Sequence, residues 1–124
     1  MQKLVFEPAW DRTLAQRDRL NIEQIFSDIH HEQKEGQQAV LVKTAFNHKD
    51  EFLVTVLLNN YSKEAFSLLG KRVVYKEEEQ IVADFMSVYT LEIPAETSMP
   101  WTFIFPAHSL RQSPTDRAGE LTIS

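Results

Sequence analysis

Residues 91–106, Leu-Glu-Ile-Pro-Ala-Glu-Thr-Ser-Met-Pro-Trp-Thr-Phe-Ile-Phe-Pro, constrain the fold more than any other stretch of the chain. They read as a strand end, a proline-bounded loop and then a strand. Met99, Trp101, Phe103 and Phe105 fall on one face of that strand, and Pro100, Thr102, Ile104 and Pro106 on the other. So aromatic a face belongs in a sheet packed on a second layer, which makes the chain mainly β.

The same two-residue period runs through the middle of the sequence. In 38–46, Val40, Val42, Thr44 and Phe46 alternate with Leu41, Lys43 and Ala45. In 51–59, Phe52, Val54, Val56 and Leu58 alternate with Leu53, Thr55 and Leu57, so both faces are apolar, as in a central strand. Asn47-His48-Lys49-Asp50 between them is turn chemistry, and the two runs predict a hairpin. Shorter strands are predicted at 72–76, 80–86 and 88–93, with Glu77-Glu78-Glu79 as a hairpin tip held open by like charges. The period is 3.6 only near the start. There Ile22, Ile25, Phe26 and Ile29 form one apolar stripe, Thr13 and Gln16 have the spacing of a capping box, and Gly36 offers a stop. The pattern predicts one helix over about 13–35, lying on the sheet. The expected architecture is an antiparallel immunoglobulin-like β-sandwich of about six to seven strands with that N-terminal α-helix. Residues 1–110 form the domain, and 111–124, rich in Ser, Thr, Arg, Gly and Pro, read as a polar flexible tail.

Charge and residue usage narrow the function. Thirteen Lys and Arg against eighteen Asp and Glu give a net charge of −5, and Lys71-Arg72 is the only adjacent basic pair. Nucleic acid and anionic lipid are poor partners for such a surface. The apolar run at the start ends at Glu7, so no signal peptide is read there. No apolar run approaches the roughly 20 residues that span a bilayer. The expected location is the cytoplasm. No cysteine is present, so disulfides and thiolate metal sites are excluded.

No motif for catalysis appears. His30 and His31 are adjacent on the predicted helix and point about 100 degrees apart, so they cannot grip one metal together. His48 and Asp50 share a turn and His108 follows the last strand, a grouping that only folding could bring together in space. Glu77-Glu78-Glu79 lacks the alternating oxygen spacing of a cation loop. There is no Gly-x-Ser-x-Gly elbow, and three glycines leave no phosphate-cradling loop. The chain is expected not to be an enzyme and to need no metal or cofactor. What remains is surface for a protein partner. Trp10, Pro100 and Trp101 are the candidate anchors. The alternation of Trp101 with Phe103 and Phe105 favours core over anchor for it, and Trp10 reads more readily as a staple of the segment before the helix to the sheet.

Three stretches carry a family resemblance. Pro8-Ala9-Trp10-Asp11 with the run 18–26, the segment Leu-Val-Thr-Val-Leu-Leu-Asn-Asn at 53–60, and residues 93–106 resemble the SLAP domain, named for the accessory Sec system S-layer assembly proteins of Gram-positive bacteria. The resemblance covers about 4–110. It implies a non-catalytic protein-interaction domain that assists accessory Sec-dependent secretion or assembly of surface-layer proteins. Its partner would be a Sec component or an envelope protein. The chain holds one such domain, whereas assembly proteins of this name carry more than one. The alternatives are a small-ligand or metal-binding sandwich using His48, Asp50 and His108, and a homodimer joined at sheet edges.

Overall fold

The computed structural model describes residues 2–29, 34–115 and 119–124. Its elements are β1 (Lys3–Leu4), α1 (Pro8–Thr13), α2 (Gln16–Asp28), β2 (Gln37–Phe46), β3 (Phe52–Asn60), β4 (Phe66–Ser67), β5 (Arg72–Glu77), β6 (Gln80–Met86), β7 (Glu92–Ile93), β8 (Thr97–Phe105), a 3-10 turn (Ala107–Ser109) and β9 (Glu120–Ile123). The protein is mainly β. Among the described residues there are nine strands rather than six or seven, three of them only two residues long.

The predicted hairpin forms as β2 and β3, paired from Gln37↔Asn60 to Phe46↔Phe52. Asn47 closes it with its side chain: Oδ1 accepts the N–H groups of Lys49 (2.9 Å) and Glu51 (3.0 Å). The aromatic strand β8 then pairs antiparallel with the whole of β3, from Phe52↔Phe105 to Asn60↔Thr97.

The first sheet has the order β1-β8-β3-β2, and β1 joins it parallel to β8. The expectation of a purely antiparallel sandwich is corrected by that pair, and the immunoglobulin-like pattern is not what the strand order displays. The Ser98 carbonyl accepts the Val5 N–H at 2.9 Å, so even-numbered residues of β8 turn their backbone towards β1 and odd-numbered ones towards β3. Pro100 is next on the β1 side. It has no N–H to donate, and the parallel ladder ends there. The same fact explains how a proline sits inside a strand flanked on both sides.

The second sheet has the order β6-β5-β9, and β4 pairs separately with β7. Between β5 and β6 the register shifts after Tyr75↔Ala83, to Lys76↔Ile81. This bulge turns both Val82 and Ala83 inward, which strict alternation would forbid. One core joins the layers: Phe52, Val54, Val56 and Phe103 of the first sheet meet Val73, Tyr75, Val82 and Leu121 of the second. Aromatic rings knit it edge to face, Phe85 on Phe105 at 5.0 Å and Phe52 on Tyr75 at 5.1 Å.

Two expectations fail here. The first is the single helix over 13–35. Glu7 caps α1 by accepting the Trp10 N–H at 2.9 Å, and Pro8 supplies the fixed φ of a first helical turn. Thr13 donates its hydroxyl to the Trp10 carbonyl (3.1 Å), so it closes α1 rather than capping α2. Leu14 and Ala15 are extended and separate the helices. At the far end, Ile29 is already extended, and Asp28 opposes the negative end of the helix dipole. Gly36, at φ 72, instead leads into β2. The apolar stripe itself stands, with Ile22 buried and Ile25, Phe26 and Ile29 half-buried.

The second is the tail from 111 onward. Residues 120–123 form β9, paired with β5 from Lys76↔Glu120 to Val73↔Ile123, and Leu121 is buried. Glu77 secures the approach to it. This carboxylate is buried and accepts the Thr115 N–H (3.1 Å) and hydroxyl (3.1 Å) and the Tyr75 hydroxyl (3.3 Å). The hairpin tip is therefore Glu78 and Glu79, both at positive φ, while Glu77 belongs to the interior. Gly119 is needed where it stands, because a Cβ there would lie 2.3 Å from the Tyr75 ring.

Candidate functional site

The three candidate anchors do not form one surface. Pro100 and Trp101 are consecutive in β8, so their side chains leave opposite faces of the sheet. Trp101 lies on the inner face, half-buried against the core and edge-on to Tyr89, with ring centres 5.5 Å apart. Its indole Nε1 is buried and, among the described residues, makes no hydrogen bond. Pro100 is buried on the outer face, below the helices.

Trp10 shares that outer side. Its ring stacks on Phe6 at 6.4 Å, and the Arg19 guanidinium sits 4.5 Å from the Phe6 ring centre while pairing with Asp11. These contacts tie α1 to α2. Trp10, Leu14 and Ile22 wall a small cleft of about 230 Å³ against Val42, Thr55 and Thr102. The hydroxyls of Thr55 and Thr102 lie 2.9 Å apart on its floor, and Lys43 and Asp18 pair at 3.3 Å across its rim. Further along the same face, Gln2 Nε2 donates to Ser98 Oγ at 3.1 Å, and Ser98 Oγ donates to Asn59 Oδ1. The helical layer thus rests on hydroxyls and amides as much as on apolar groups.

His30 and His31 lie outside the described residues. His48 and Asp50 occupy the β2–β3 turn, and His108 the 3-10 turn that follows β8. The ladder Phe46↔Phe52↔Phe105 places both turns at one end of the first sheet. Even so, no group of three His, Asp or Glu able to hold a metal forms among the described residues. All three side chains are exposed. On the second sheet the half-buried Asp84 accepts from Arg72 (2.8 Å) and Arg111 (2.9 Å). The Arg72 hydrogen bond, with the help of Arg111, holds that carboxyl below its ordinary range. No helix among the described residues is long and apolar enough to cross a membrane.

A second cleft, larger than the first, is one that no motif in the sequence marks. It measures about 450 Å³ and lies between the start of β2 and the end of β9. Leu58, Phe66, Ile93 and Leu121 form its apolar floor, and Gln37 and Glu120 stand among its polar walls. Its residues come from five strands far apart in sequence, so no local spacing could have assembled them. The one available signal was the alternation Leu121-Thr122-Ile123 after Gly119, hidden in a segment of polar composition.

These features define a small, mainly β domain with a helical layer on one sheet and an open cleft between two strands at the other side. A family model of the SLAP domain matches residues 4–119, and the chain belongs to the SLAP domain family. No curated protein matches the chain. No solved structure matches it either.

Proposed function

We propose that this chain is a protein-interaction domain without catalytic chemistry of its own. It assists accessory Sec-dependent secretion or assembly of surface-layer proteins, and it works in the cytoplasm of a Gram-positive cell. Its partner is a Sec component or an envelope protein. The observation that carries this reading is the SLAP domain match over nearly the whole chain. The test is a pull-down from a Gram-positive lysate with the full chain as bait. Recovery of a Sec component or an envelope protein is the expected result. Recovery of neither at high bait occupancy counts against the reading.

A further inference from the structure

Exposed apolar side chains are ordinary one at a time and informative as a group. Among the described residues most of the large ones are scattered: Val5 follows β1, Leu20 stands on α2, and Phe46 and Ile104 leave opposite faces of the first sheet. Three come together. Val88, Met86 and Leu69 are 79 %, 60 % and 54 % exposed, and the backbone holds them side by side.

The arrangement follows from Gly70. The Lys71 N–H bonds the Leu68 carbonyl (3.2 Å), which closes a turn with Leu69 and Gly70 at its centre. Gly70, at φ 76, supplies the left-handed conformation that the second central position of such a turn takes. Leu69 is left at the corner. The Gly70 N–H then bonds the Ser87 carbonyl (2.8 Å), and the Ser87 N–H bonds the Lys71 carbonyl (2.7 Å). Two residues thus oppose one, as in a bulge led by glycine, and the bulge pins Leu69 beside Val88. Ser87 is buried, so Met86 and Val88, on either side of it, turn outward together. Arg72 pairs with Met86 across the second sheet, and Arg72 and Arg111 both donate to the single carboxylate of Asp84. Two guanidiniums on one carboxylate leave a positive charge over. Lys71, whose Nζ lies 5.4 Å from the Phe66 ring centre, pairs with no carboxylate among the described residues. The next carboxylate along the chain from Val88 is Glu92, opposite Ser67 on β7. The apolar patch therefore has a cationic border, in a chain whose net charge is −5.

We propose that Leu69, Met86 and Val88 form the contact patch for an acidic segment of a partner protein, one that carries apolar residues among Asp or Glu. The inference rests on the interaction-domain reading above and names its surface. The apolar residues of the segment take the three side chains out of water, and its carboxylates meet Arg72, Arg111 and Lys71. Size and charge select this occupant over two others. Three side chains amount to a few hundred Å², whereas a stable dimer takes about 800 Å² from each copy. Patch on patch would also set the arginines against their own copies. An anionic bilayer is a poorer match, because surfaces built for it cluster about four to eight cations.

The probe is a peptide selected from a displayed random library on the full chain. The control is one variant combining Leu69→Ser, Met86→Ser and Val88→Thr. It should keep its thermal midpoint within a few degrees, since the side chains it changes are exposed. A larger drop makes them structural and overturns the patch. Enriched peptides should carry Asp or Glu beside apolar residues and shift the amides of 69–72 and 86–88. They should bind the triple variant about tenfold more weakly or worse. Lys71→Gln with Arg111→Gln leaves Arg72 on Asp84; it should weaken binding by a smaller factor and flatten its salt dependence. Basic or uncharged enriched peptides, equal affinity for the triple variant, or no enrichment at all overturn the site. Self-association that the triple variant abolishes assigns the patch to a second copy of the chain. Binding to phosphatidylglycerol vesicles that it abolishes assigns the patch to lipid. Either result overturns the partner proposed here. The lysate pull-down separates this inference from the broader reading. Equal recovery of a Sec component or envelope protein by the triple variant overturns the patch and leaves the reading standing, while recovery of neither by the unmodified chain counts against the reading itself.

Discussion

The first sheet has two faces with different physics. Its inner face carries Phe52, Val54, Val56, Phe103 and Phe105, all at most 2 % exposed, and meets a second sheet of the same character. Its outer face carries Thr55, Asn59, Ser98 and Thr102, paired through hydroxyls and amides, and meets helices that bury only Ile22 completely. The inner face holds by dense apolar packing, which tolerates no deletion cheaply. The outer face combines a smaller apolar contact at Leu57 and Pro100 with satisfied polar pairs, which fix the register of β3 on β8 but add little net stability. The helical layer is therefore the weaker attachment, and local opening should begin there rather than between the sheets.

Four measurements can break or sharpen that contrast. Phe103→Ala should cost about 3–5 kcal/mol in chemical denaturation, because a fully buried ring leaves a cavity that its neighbours cannot fill. A loss below about 1 kcal/mol would contradict the packing described. Ile22→Ala should cost less, about 2–3 kcal/mol. Its exchange signature should also differ, with amides of α2 losing protection while those of β3 and β8 keep theirs. Uniform loss across the molecule would make the helices part of one cooperative unit with the sheets.

The third concerns pH. Burial, with the neighbouring Glu77 carboxylate next in weight, pushes the Tyr75 phenol up to about 12. A proton held more tightly in the folded state stabilises it fully below the unfolded value near 10. That contribution, on the order of 2 kcal/mol, is lost as the pH rises from about 10 to 12. Tyr75→Phe should flatten this alkaline limb of the stability curve, and an unchanged limb would remove Tyr75 as its cause. The smallest effect belongs to the outer face. Thr55→Val strands the Thr102 hydroxyl and should cost about 1 kcal/mol, whereas Thr55→Val with Thr102→Val should return stability close to the starting value. A double variant as damaged as the sum of the singles would show that these hydroxyls act separately.

What the sequence displays of this molecule follows the length of each element. The hairpin of β2 and β3 and the aromatic strand β8 are long enough for alternation to be counted, and their boundaries fall within two residues of the structure. The four residues of β9 contain two apolar positions after a run of Ser, Pro, Thr and Arg, too few to outweigh the composition around them. The helix boundary misleads for a different reason. Thr13 and Gln16 have capping-box spacing, yet Glu7 and Pro8 upstream start a separate helix, and a six-residue helix shows no periodicity. Of the candidate surface, Trp10, Pro100 and Trp101 are individually conspicuous, but the pleat sends Pro100 and Trp101 to opposite faces. The 450 Å³ cleft is a tertiary product of strand ends and has no linear trace.

The buried grip of Glu77 on Thr115, and the ring of Tyr75 under Gly119, have a consequence for biosynthesis. β5 is the middle strand of its sheet, yet one of its two neighbours is translated long after the other. Until residues 115 to 123 are available to it, β5 can acquire β6 but must keep its opposite flank bare and the Glu77 carboxylate wetted by solvent. The nascent domain thus passes through an interval in which a strand destined for the interior is open to any passing chain, and only translation of residues 120–123 ends that exposure.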